Sequence, residues 1–229
     1  YIYILRIYNQ YNMKFEYQRK QMVESQLRAN LVIDESILES FSRVKQENFL
    51  SENLKSIAYI DDNIFVNQDR FILRPFILGK LISNLNLKNN SAVLDIGSCT
   101  GYSSAILANL FKKVYSVEND QYCFEENKKN LSSEKILNVK LYNNNYLNLD
   151  FEGMQFDNVL INGELNDEPL FLINLLKPNG KITTIFRDKK TSYAVTYIKK
   201  QNSFDKIRIF DASSPLLIDC KNKEPAFTF

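Results

Sequence analysis

Apolar and polar positions in the second half of the chain switch repeatedly between two spacings. Short apolar runs alternate with segments whose apolar residues recur at helical intervals, giving strand 92–96, helix 102–111, strand 113–117, helix 121–130 and strand 138–142. The pattern continues with strand 157–161, helix 168–176 and strand 181–186, the last entered through the Lys177-Pro178-Asn179-Gly180 turn. Upstream, residues 13–50 carry a helical pattern. Val23, Leu27 and Leu31 recur every fourth position, and Ile37, Leu38, Phe41 and Val44 repeat it after a helix start at Asp34-Glu35. Residues 51–67 are irregular, with a turn at 59–63 and a short strand at 64–66, and Pro75 opens another helix. Two final strands, 193–198 and 206–210, flank Gln201-Asn202-Ser203 as a closing hairpin with an antiparallel strand. Alternation of this length predicts an α/β fold, a parallel sheet with helices on both faces, preceded by a helical cap.

The chemistry concentrates in one turn. The run Val93-Leu94-Asp95-Ile96-Gly97-Ser98-Cys99-Thr100-Gly101-Tyr102 takes an apolar strand through an acidic residue and a glycine-bearing turn into a helix. About twenty residues on, a second strand ends in Glu118, where a ribose-binding carboxylate follows a first βα turn. A dinucleotide needs Gly-x-Gly-x-x-Gly so that its pyrophosphate meets bare backbone, but here Cys99 and Tyr102 stand at the second and third glycine positions. Asp95 is also a poor neighbour for a diphosphate. S-adenosylmethionine (SAM) carries no phosphate, and an acidic strand end suits its cationic portion. A strand–turn–helix without any ligand is the plainer alternative, leaving Glu118 as an ordinary strand end.

Composition narrows the choice. A chain of 229 residues has room for one embellished domain, and its 45% hydrophobic and 24% charged residues place it among soluble globular proteins. The net charge of +2, with Lys and Arg dispersed, gives no reason to invoke nucleic acid or an anionic membrane. The three cysteines, Cys99, Cys123 and Cys220, lack metal-ligand spacing, so a reducing cytoplasm is the expected setting and no metal is expected. The absence of histidine removes Ser-His and Cys-His nucleophile systems and histidine general bases. Residues 1–12 contain an apolar run too short to span a bilayer, and are either an extension upstream of a start at Met13 or part of the fold. The expected division is 1–12 as that extension, 13–78 as helical cap and substrate-side loop, and 79–229 as the cofactor-binding domain.

Taken together, several elements resemble one family. They are Met22-Val23-Glu24-Ser25-Gln26-Leu27-Arg28, Ala58-Tyr59, Pro75, the 93–102 turn, Phe156-Asp157 and Lys177-Pro178-Asn179-Gly180. The chain from about Arg19 onward is similar to the protein-L-isoaspartate O-methyltransferases, with a tail (Phe210-Asp211-Ala212, Pro215-Leu216-Leu217) like that of a bacterial branch. The resemblance implies a Rossmann-like SAM-dependent methyltransferase sheet and carboxyl O-methylation of isoaspartyl residues in damaged proteins, so a protein or peptide is the partner. It also marks departures. The family's Thr-Ile-Ser run before a proline appears as Phe71-Ile72-Leu73-Arg74-Pro75, with Leu73 in place of the serine. The family's Gly-Asp pair near the adenine is Asn144-Asn145, and Cys99 replaces a glycine.

The expected cofactor set is Asp95, Gly97, Ser98, Gly101, Tyr102, Glu118, Asn119, Asn144 and Asn145: Asp95 towards the methionine portion, Glu118 on the ribose hydroxyls, Asn144-Asn145 towards the adenine amino group. Tyr102 and Tyr146 either border the adenine or pack elsewhere. A carboxylate nucleophile is already ionised near neutral pH and needs no base, which fits a chain without histidine. Arg70, Leu73 and Arg74 are the substrate-side candidates. A guanidinium there clamps a carboxylate or is an ordinary solvated loop arginine. A SAM-binding pseudoenzyme or interaction module, or a methyltransferase for another substrate, accounts for the departures as well. Oligomeric state is not legible.

Overall fold

Strand Ala92–Ile96 (β3) lies inside a seven-stranded sheet, third from one edge, and nearly every side chain along it is buried, the mark of a strand covered on both faces. The computed structural model describes residues 13–217 except 89, 149, 150 and 152, so residues 1–12 and Cys220 lie outside the described residues. Around β3 stand Lys113–Glu118 (β4), Val139–Asn143 (β5), Phe156–Leu165 (β6), Leu176–Asp188 (β7), Thr191–Lys199 (β8) and Phe204–Asp211 (β9). The order is β5-β4-β3-β6-β7-β8-β9, parallel from β5 to β7, with β8 antiparallel to both its neighbours. The order reverses between β3 and β6, so a crevice opens outside their carboxyl ends, where ligands bind in open α/β sheets.

The helices start where the sequence supplies caps. Asp34 accepts the backbone N–H groups of Ser36 and Ile37 to open Glu35–Arg43 (α2, after the helical residues 13–22, α1). Pro75 occupies the first turn of Pro75–Ser83 (α3), Gly101 precedes Tyr102–Leu110 (α4), and Asp120 caps Gln121–Ser133 (α5). The predicted helical stretch 13–50 is broken. A π turn at Val23–Leu27 and a 3-10 turn at Arg28–Asn30 end at Leu31, whose φ of 63° stops the helix before Asp34 restarts it. A hairpin of Ile64–Phe65 (β1) and Phe71–Ile72 (β2) pairs residues whose second strand the periodicity does not reveal. The predicted helix 168–176 is only Leu170–Asn174 (α6), because β6 runs on to Leu165 and Pro169 precedes the helix. The Pro178-Asn179-Gly180 turn is an irregularity inside β7, where the register with β6 shifts and Asn179 has a φ of 62°.

Side chains alternate along β3 into two cores. Val93 joins Met22, Leu27, Phe41, Leu78 and Ile106 on the face covered by the amino-terminal helices. Leu94 and Ile96 join Val117, Phe156, Ile161, Leu172 and Ile182 on the other. The element most particular to the family resemblance has a structural reason: Gln26 donates to the Tyr59 carbonyl (2.9 Å), and Arg19 donates to the Tyr59 hydroxyl (2.9 Å) and pairs with Glu47. No helix among the described residues is long and apolar enough to cross a membrane.

Candidate active site

The β3–α4 turn is pinned to the end of β4. Gly97 and Ser98 donate their N–H groups to the Val117 carbonyl (3.0 and 3.3 Å), and Cys99 donates its N–H to Glu118 Oε2 at 2.8 Å. Two glycines make this path possible. Gly97 has a φ of +69° and a Cβ there would meet Leu217 at 2.8 Å; Gly101 has a φ of +98° and a Cβ there would meet Asn127 Oδ1 at 2.5 Å. Both are left-handed positions in contact with neighbours, so a side chain fails on two counts.

Glu118 is 1% exposed, and both its oxygens accept hydrogen bonds, three at Oε1 and one at Oε2. Its Oε1 accepts from Arg70 Nε (2.6 Å) and from the backbone N–H groups of Asn119 (2.9 Å) and Asp120 (2.8 Å). Arg70 is 4% exposed, so it is neither the solvated loop arginine nor the open carboxylate clamp of the sequence reading. It neutralises Glu118 inside the protein because a buried carboxylate needs a charged partner. The hairpin β1–β2 delivers it, with Asn67 Oδ1 accepting the Arg70 N–H at 2.8 Å.

Asp95 is also organised from within. Its Oδ2 accepts from Ser103 (2.8 Å) and Ser104 (2.5 Å), and its Oδ1 from Asn162 Nδ2 (2.7 Å). Burial pushes its carboxyl up to about 6, against the lowering effect of the three donors and with a further push from the nearby Glu118 charge. Because the folded value exceeds the unfolded one, the ionised form costs stability above about pH 6, and that cost disappears as pH falls towards 4. The stability of Asp95→Asn relative to wild type is therefore expected to improve by about 2 kcal/mol between about pH 4 and about pH 7. Denaturant melts of both proteins across that range measure it.

Leu73, Gly97 and Ser98 come together around a cavity of about 10 Å³, room for about one water, with Phe71, Ile72, Cys99, Ser103 and Asn162 among its other walls. Leu73 is 2% exposed, so the position of the expected serine is an apolar wall. Arg74 does not join this group. Its guanidinium pairs with Asp61 (2.8 Å) and lies over the Phe76 ring (4.7 Å) at the start of α3. Asp62, the other acidic residue of that turn, accepts the Asn63 N–H at 2.7 Å.

Tyr102 is a correction. It is fully buried against Phe41 (6.3 Å) and Phe49 (5.9 Å) in the core under the amino-terminal helices, because the first turn of α4 points it away from the strand ends. Tyr146 is buried in the opposite core. Asn143 is the register partner of Glu118, so Asn144 and Asn145 follow at the same carboxyl edge, where Asn144 Oδ1 accepts the Asn145 N–H and Asn145 Oδ1 the Leu147 N–H. Asp95, the 97–101 turn, Glu118, Asn119 and Asn144-Asn145 thus end adjacent strands β3, β4 and β5.

Sequence reasoning missed three residues here. Asn162, the β6 residue just past its pairing with β3, ties Asp95 to the Ile96 carbonyl (3.0 Å) across the switch point. Asn127 donates to Ser98 Oγ at 3.0 Å and holds the turn from α5. Leu217, 1% exposed, packs against Gly97 and Gly163, its segment held by Glu164 N–H to Pro215 O and Leu217 N–H to Glu164 O, both 3.0 Å. Only Asn162 leaves a trace in the sequence, a polar residue followed by glycine at the end of an apolar strand.

Comparison with known proteins converges on one family. Residues 17–213 match the model described as protein-L-isoaspartate(D-aspartate) O-methyltransferase. A relative named protein-L-isoaspartate O-methyltransferase from Syntrophus aciditrophicus is 29% identical over 198 residues, 82% of this chain and 91% of its own. One of the same name from Vibrio vulnificus is 31% identical over 157 residues, 68% of this chain and 75% of its own. In fold, the chain is similar to a Plasmodium falciparum protein named protein-L-isoaspartate O-methyltransferase, solved in complex with S-adenosyl-L-homocysteine. The TM-score is 0.76 at 22% identity, over 87% of this chain and 97% of that one.

Proposed function

This chain belongs to the protein-L-isoaspartate(D-aspartate) O-methyltransferase family and is a SAM-dependent O-methyltransferase of isoaspartyl residues, and from that premise we propose which of its residues carry the reaction. The observation that supports the assignment most is Glu118, a carboxylate at the end of β4 whose second oxygen holds the Cys99 N–H of the turn beside the switch point. The donor set fits SAM: carboxylates and backbone amides suit ribose hydroxyls and a cationic methionine portion, and no phosphate cradle is present among the described residues. Glu118 and Asn119 hold the ribose, Asn144 and Asn145 the adenine edge, and Gly97, Ser98 and Gly101 the backbone approach. Asp95 acts through Ser103 and Asn162 to keep that turn in shape.

SAM supplies an electrophilic methyl group on its sulfonium. The protein's part is to align a carboxylate oxygen with it and exclude water, since in-line transfer gains most from positioning. Phe71, Ile72 and Leu73 form the dry wall on the substrate side. They donate no side-chain hydrogen bond, so the substrate carboxylate is anchored by backbone amides and keeps its charge for attack. The methionine portion needs more room than the present cavity, and Leu217, packed against Gly97, is the side chain whose shift would open it; Leu217→Ala is expected to quicken SAM association. Residues 13–78 serve as the substrate-side cap of a domain formed by 79–229, in a cytoplasmic protein.

Calorimetry and melting curves with SAM test the cofactor half of this reading. SAM is expected to raise the melting temperature by mass action, and Glu118→Gln to weaken binding by about 1–3 kcal/mol. Absence of any shift at millimolar SAM with folded protein would remove the cofactor assignment.

A further inference from the structure

Cys99 and Cys123 stand 24 positions apart in the chain, yet their sulfur atoms meet at 3.8 Å in the interior. Cys99 holds a φ of 50°, a left-handed conformation that costs any residue with a side chain, so a thiol occupies a place where glycine fits best. Its N–H binds Glu118 Oε2, and Cys99 is among the residues that line the small cavity with Leu73 and Gly97. Cys123 sits in the first turn of α5, capped by Asp120 at 2.8 Å, and its sulfur lies 3.9 Å from Asn67 Nδ2, the residue that anchors Arg70. The two thiols therefore join the cofactor turn, the start of α5 and the hairpin carrying Arg70.

We propose that Cys99 and Cys123 are a peroxide-sensitive thiol pair that closes to a disulfide beneath the cofactor turn and lowers the affinity for SAM. This coupling rests on the cofactor reading above; the disulfide itself does not. Oxidation begins at Cys99, the member of the pair whose residue lines the cavity. Cys123 keeps its proton, because its hydrogen bond to Cys99, burial and the Glu118 charge all push its thiol up. Cys99 sulfur takes one oxygen from hydrogen peroxide, giving a sulfenic acid and one water. Cys123 sulfur then displaces the hydroxyl, which leaves with the Cys123 proton as a second water, and the S–S bond forms. Two thiols lose two electrons and two protons, and one peroxide is reduced to two waters.

A disulfide requires about 2.05 Å between sulfurs, so the bond draws the Cys99 side chain towards α5. The turn follows, which moves the Cys99 N–H relative to Glu118 and displaces Gly97 and Ser98. By linkage, SAM must in turn favour the reduced pair at equilibrium, and by covering the turn it is expected to slow the access of peroxide to Cys99.

The test uses the full chain with Cys220→Ser, so that the pair holds the only thiols and the peptide map separates their oxidation from that of the three methionines. Reduced protein is treated with hydrogen peroxide with and without SAM, remaining thiols are alkylated, and intact mass and a peptide map are read beside calorimetric SAM affinity. The expected results are a 99–123 link that forms more slowly with SAM, an affinity about tenfold lower in the linked form, and recovery on dithiothreitol. Cys123→Ala, or Cys123→Ser should alanine disturb α5, is expected to stop at a sulfenic acid on Cys99 that dimedone traps. Full alkylation of both thiols after peroxide would overturn the proposal, as would a linked form with unchanged affinity. Reduced protein that binds no SAM would instead defeat the cofactor reading and the proposed coupling, leaving the link decided by mass alone.

Discussion

Arg70→Ala is expected to cost about 3–5 kcal/mol of folding stability, the usual result of stripping one partner from a buried ion pair. Nε of Arg70 lies 2.6 Å from Glu118 Oε1, with both side chains at 5% exposure or less. Alanine leaves the Glu118 carboxylate held only by backbone N–H groups in a place water does not reach. Arg74→Ala removes a partly exposed pair with Asp61 and is expected to change stability by no more than about 1 kcal/mol. Urea melts of the two variants make the comparison. The double change Arg70→Met with Glu118→Gln removes the stranded charge, so it is expected to recover much of the lost stability. It is not expected to recover SAM binding, because the ribose-facing carboxylate is gone. That split separates the structural duty of Glu118 from its ligand duty.

The second large effect is expected at Leu73. Leu73→Ser removes a buried side chain and is expected to cost about 2–5 kcal/mol of stability. It also places a hydroxyl donor on a wall otherwise made of Phe71 and Ile72. A hydrogen bond to a charged group is worth about 1.5–3 kcal/mol, so kcat/KM for an isoaspartyl peptide is expected to rise by about tenfold or more. Steady-state kinetics at a temperature where the variant is folded measure this. Unchanged kinetics would mean that the substrate carboxylate does not sit against residue 73.

The parts of the fold that were legible share a cause. Strand 92–96 matches β3 to the residue, and 113–117 falls one residue short of β4, because strands buried on both faces read as unbroken apolar runs. Asp34 and Pro75 announce their helices through local chemistry alone. Nothing local marks the pairing of Arg70 with Glu118, which are 48 positions apart and meet only when the β1–β2 hairpin folds over the strand ends. Tyr102 was ambiguous because a helix packed between a sheet and other helices buries more than one face, so its spacing does not say which face meets a ligand. The tail contact of Leu217 with Gly97 is likewise invisible to periodicity, since an isolated bridge to Glu164 creates it.

The central claim is that this fold transfers a methyl group to an isoaspartyl carboxyl. The most direct measurement gives the protein methyl-labelled SAM with two peptides of one sequence, one containing isoaspartate and the other normal aspartate. The expected result is label in a base-labile ester on the isoaspartyl peptide alone, at a rate that rises in Leu73→Ser. Protein that binds SAM yet labels neither peptide, or labels both equally, would contradict the account.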